Sequence, residues 1–191
     1  MAKVLASELS GGAIANAIAL LEGEKADTDK LKIALHSFIN GTTEILTGPA
    51  YDAARKKAES YMSTLDTRSR LATELAASLQ AALSSMAGYM DGYSELDDSK
   101  LPEIENQMSS IRATINQIIY NYNNTQGASG GYSSLIAPYE AQYQELDKLK
   151  QKLEGLPGAD SAAYGKLGSL TGQISSYETN ISMMNTSSIN V

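Results

Sequence analysis

A single histidine, His36, is the only imidazole in the 191 residues, and the chain has no cysteine. A Ser-His-Asp arrangement, a Cys-His pair or a multi-histidine metal site would all have to be built around that one side chain. His36 falls one position off an apolar seam, beside Leu35, where a solvated helical histidine is expected. The densest acidic group is Glu95, Asp97 and Asp98. It lacks the glycine and the distant glutamate of a calcium loop, so it reads as loop polarity with favourable charge near a helix start. Gly127–Gly131 is glycine-rich but is followed by no Lys-Ser/Thr, so it is a connector and not a phosphate cradle. No nucleophile, base and oxyanion donor converge, and the expectation is a non-enzymatic chain without cofactor or metal.

The elements that would position any site are helical. Apolar residues recur every three or four positions, and no segment alternates as a strand would. Ile14, Ala17, Leu21, Leu31, Leu35, Phe38 and Ile45 keep heptad spacing, interrupted by Glu24 and Thr28. Tyr51, Ala54, Ala58, Tyr61, Leu65, Ala72, Leu79, Ala82, Met86 and Tyr89 continue it. The expected fold is all-α: an elongated bundle on a long antiparallel hairpin over 8–95, with further helices at 101–122, 133–154 and 159–185 and no β-sheet. Gly155-Leu156-Pro157-Gly158 is expected to separate the last two. At the hairpin turn, Thr47-Gly48-Pro49 offers a left-handed cap followed by a proline suited to a first helical turn. Leu35, Phe38 and Ile45 should then face Tyr51, Ala54 and Ala58 in mirrored order away from the turn.

Composition narrows the partners. The net charge is −7 and there is no basic stripe, which argues against nucleic acid. No apolar run reaches the roughly 18 residues of a membrane span; Ala13–Leu21 comes nearest and reads as an amphipathic helix, not a cleaved signal. With one Phe, no Trp and eleven Tyr, the chain suits thin bundles better than a deep core. Each hairpin helix also carries apolar residues off its seam. These are Leu20, Ile33, Ile39 and Leu46 on the first, and Met62, Leu71, Leu83 and Met90 on the second. Such a surplus marks an expected interface for helical partners, the alternative being that the later helices cover part of it.

Leu46-Thr47-Gly48-Pro49-Ala50-Tyr51 between two helices of matched length, with Tyr93–Leu101 beyond the second, resembles the LXG family. These are the amino-terminal targeting domains of polymorphic toxins exported by type VII secretion systems of Gram-positive bacteria. The resemblance covers essentially the whole chain in architecture. It makes Leu46 and Gly48 the turn motif, and it implies pairing with small two-helix WXG-like proteins that present the complex to the secretion machinery. It also implies a cytoplasmic protein that is then secreted without a cleavable signal. Tyr93 and Asp97 fit the Tyr-x-x-x-Asp/Glu export signal of such systems; Tyr143 and Asp147 fit the pattern but lie within a helix. The family's toxin domain has no counterpart before Val191, so the expectation is an excised targeting domain or a free-standing relative. The alternative reading is a structural coiled-coil, filament or tip component of another secretion apparatus.

Overall fold

A computed structural model describes residues 2–41, 47–125 and 131–186. The protein is an all-α helical bundle with one small sheet. In chain order it comprises β1 (Lys3–Leu5), α1 (Ala6–Gly11), α2 (Ala13–Gly41), α3 (Pro49–Met90), β2 (Glu95–Asp97), a 3-10 turn (Asp98–Lys100), α4 (Leu101–Asn124) and α5 (Ser133–Thr186). It divides into two compact units. One contains residues 1–6 and 90–161, the other residues 7–89 and 162–191.

In the second unit α2 and α3 form the antiparallel hairpin. Glu24 pairs with Arg68, Ser69 donates to Asp29 at 3.1 Å, and Lys32 meets Asp66 at 2.5 Å. These partners mirror one another about the turn. The seam is more polar than its heptads suggest: Thr28 is the fully buried residue of α2, and its hydroxyl donates to the Glu24 carbonyl at 2.8 Å. α3 contributes Ala58, Leu65, Leu71, Ala72, Ala82, Leu83 and Met86 to the core. Gly48 has φ +122°, a conformation that side chains with a Cβ rarely adopt, and the Asp52 amide donates to its carbonyl at 3.0 Å. A Cβ on Gly48 would meet nothing within 4 Å, so the glycine serves backbone conformation and not close helix approach.

The helices differ from the sequence reading in four places. The first helix does not run unbroken from residue 8, because α1 and α2 separate around Gly12. A Cβ at Gly12 would lie 2.5 Å from the Glu8 carbonyl oxygen, so this break requires a glycine. The second helix stops at Met90, where Asp91 and Gly92 take positive φ and the Tyr93 amide bonds the Met90 carbonyl. Phe38 and Tyr51 are exposed, so neither lies in a packed seam, while Leu35 and Ala54 are half-buried and Ala58 is buried. Leu46 and Ile45 lie outside the described residues. Finally, α5 passes through Gly155–Gly158 as one helix with Pro138 and Pro157 inside it. Leu153 and Leu156 are buried at that point, and their burial outweighs the local preference to stop.

The first unit corrects the expectation that no sheet forms. β1 and β2 pair antiparallel, with Lys3 opposite Asp97, Val4 opposite Leu96 and Leu5 opposite Glu95. Leu96 is fully buried, and Met90, Ile104, Met108, Ile111, Ile136, Leu153 and Leu156 are the unit's other buried aliphatics among the described residues. α4 and α5 are cross-linked by Lys150–Glu105 at 2.9 Å and by Arg112, which donates to the Tyr143 hydroxyl at 2.7 Å and stacks on its ring.

Candidate functional site

The face of α2 is the first place to look for a partner surface. Leu20 is 75% exposed, Ile33 69%, Leu31 48% and Phe38 39%. Leu20, Leu31 and Phe38 are spaced by eleven and seven residues, which puts them on one stripe of a helix; Ile33 falls on the other side. Leu31 and Phe38 were assigned to the seam by heptad spacing. Their place one position around the helix from the α3 contact was readable only once the Glu24–Arg68 and Lys32–Asp66 pairs fixed the rotation of α2.

The remaining surplus residues behave differently. Ile39 and Met62 are half-buried. Leu71, Leu83 and Met90 are 5%, 8% and 3% exposed, so these three are core positions and not an available interface. The reason is that α3 is covered on more than the α2 side. Leu71 lines a groove with Ile174 and Tyr177 from the end of α5, and Arg70 lies 3.5 Å from Gln173. At Leu71 the cover is α5 and not a partner.

Tyr93 lies just before β2, and Asp97 is the last residue of that strand. Tyr93 is half-buried beneath the Lys152 ammonium, 5.8 Å from its ring centroid. Asp97 caps the 3-10 turn, accepting from the Ser99 amide at 3.0 Å and the Ser99 hydroxyl at 2.5 Å. These bonds hold its carboxyl below the usual range. Lys3 reaches Glu95 at 2.7 Å and Asp97 at 3.9 Å. With Lys100 at 3.3 Å, it also lowers the Glu95 carboxyl. The Ala2 amide donates to Asp98 at 2.8 Å, and the Asp98 amide donates to the Ala2 carbonyl at 3.1 Å. The segment is therefore a paired strand, and the acidic group is occupied in holding the amino-terminal strand. Only the charge complementarity of Lys-Val-Leu with Glu-Leu-Asp hinted at this.

Comparison with protein-family models, curated proteins and solved structures finds no match. The geometry therefore stands by itself. His36 is exposed, with the Asn40 amide nitrogen 3.0 Å from Nδ1. Among the described residues no cluster of His, Cys, Asp or Glu is arranged to hold a metal ion. No described helix is long and apolar enough to cross a membrane.

Proposed function

We propose that the chain is a non-catalytic export-targeting module, of the kind its resemblance to LXG domains implies, that binds small helical partner proteins along α2. The observation that supports this best is the poverty of burial on that helix: across 29 residues only Thr28 is fully buried, while Leu20, Leu31, Ile33 and Phe38 stay exposed. Propensity alone does not hold a helix of this length against water; packing of an apolar face does. Partner helices laid along α2 would complete a bundle and supply that packing. The turn at Gly48 supports the same reading, since its positive φ sets two long helices side by side.

The experiment is co-expression with small two-helix proteins encoded beside this chain, followed by sizing and mass determination. The expected result is a stable complex that Leu20→Glu and Ile33→Glu abolish. A soluble monomer that ignores those partners, or a self-assembling filament, would sink the targeting reading.

A further inference from the structure

In the first unit α4 and α5 flank a polar cleft of about 310 Å3. This volume is at the lower end of the roughly 300–1,000 Å3 of small-ligand pockets. Glu105, Met108, Ser109 and Arg112 line one wall, at the i, i+3, i+4 and i+7 spacing that keeps them on one face of α4. Tyr143 and Lys150, about two turns apart on α5, line the other. The cross-links mirror one another, as antiparallel helices require. Lys150 meets Glu105 at 2.9 Å, and Arg112 donates to the Tyr143 hydroxyl at 2.7 Å.

The two ends of the cleft differ in charge. At one end Glu105 neutralises Lys150, and its hydrogen bond holds the ammonium above its ordinary range. Glu154 also reaches Lys150, at 3.6 Å, but does not line the cleft. At the other end Arg112 is in no ion pair among the described residues; its partner is the neutral Tyr143. Because the Tyr143 oxygen accepts from Arg112, its own O–H is left to donate. The Ser109 hydroxyl, one turn before Arg112, has no partner among the described residues either.

This end is rich in donors and poor in acceptors. An ionised carboxylate only accepts, and its two oxygens match the guanidinium fork. Its single negative charge also equals the one uncompensated positive charge. A dianion would bring a second negative charge towards Glu105, the one carboxylate among the described lining residues.

We propose that the Arg112 end of this cleft binds one carboxylate, with Arg112 forked on its oxygens and the Tyr143 and Ser109 hydroxyls donating to it. The carboxylate belongs to a small organic acid or to an acidic side chain. The partner surface on α2 takes no part in it.

The test is an NMR titration of the full chain, uniformly labelled with nitrogen-15, at fixed ionic strength. The titrants are acetate, sulfate as the dianion, and acetyl-Gly-Glu-Gly-amide with its glutamine counterpart. The expected result is a saturable shift of the Arg112 side-chain and Ser109 amide resonances with acetate or the glutamate peptide, weaker binding of sulfate, and none of the glutamine peptide. Tighter binding of the glutamate peptide assigns the carboxylate to an acidic side chain; tighter binding of acetate assigns it to a small acid. Variants are read at the Ser109 amide. Tyr143→Phe should weaken binding about two- to tenfold, the worth of one hydrogen bond. Arg112→Lys, which keeps the charge and loses the fork, should weaken it as well. Arg112 is exposed, so Arg112→Gln should abolish binding with helicity retained. The proposal is overturned if neither carboxylate titrant saturates, if sulfate binds as tightly as the carboxylate, or if the glutamine peptide matches the glutamate one. Undiminished binding by Arg112→Gln would overturn it too.

Discussion

Pro157 lies inside α5, directly after the fully buried Leu156. Its ring removes the N–H that would bond the carbonyl of Leu153, four residues earlier, and presses on that turn. In a helix interior proline is about 3 kcal/mol worse than alanine. Gly158 follows, and a Cβ there would meet nothing within 4 Å, so alanine at this position should add about 0.5–1 kcal/mol. If α5 is continuous, Pro157→Ala stabilises the chain by about 3 kcal/mol, and the double variant with Gly158→Ala by about 4. At roughly 2–4 °C per kcal/mol for a chain of this size, the single change raises Tm by about 6–12 °C. Circular dichroism at 222 nm through a thermal melt, with urea titration as a second axis, reads this directly. If the helix instead ended at Gly155, Pro157 would occupy a turn whose unfolded state it restricts, and its loss would cost about 0.4–1 kcal/mol. A Tm that falls or holds still would refute the continuous helix.

Gly48→Val should destabilise the hairpin by about 1–2 kcal/mol through backbone strain alone, because φ is +122° and the site is open; an unchanged urea midpoint would contradict it. Leu83→Ala should cost about 2–5 kcal/mol as a core deletion, whereas Leu20→Glu and Ile33→Glu should leave the isolated chain's Tm within about 1–2 °C. The β1–β2 pair should be acid-sensitive. Glu95 and Asp97 have folded values lowered from 4.5 and 3.8 by Lys3, Lys100 and Ser99, so their contribution is whole above those ordinary values and lost as pH falls through the lowered ones. Cross-strand NMR contacts between Val4 and Leu96 should weaken below about pH 4 before the helical signal does; simultaneous loss would count against it.

The all-α class and the turn at Gly48 were legible in the residues, because both follow from local physics. Period-3.6 patterning permits one kind of element, and Thr-Gly-Pro after a long helix permits few backbone paths. The seam along α3 was also legible in part, since Ala58, Leu65, Ala72 and Met86 keep heptad spacing and are buried. Which apolar residues stay exposed was not. Leu71 and Leu20 look alike in sequence, and only the return of α5 onto α3 buries the first and leaves the second in water. The strand pair was equally hidden, for three residues carry no period, and β1 and β2 lie about ninety positions apart in the chain. Pro157 shows the same division. Its local preference is to end a helix, and the burial of Leu153 and Leu156, a property of the folded unit, decides otherwise. Conformation set by neighbours in sequence can be read from sequence; burial set by segments far apart in the chain is decided only when they meet.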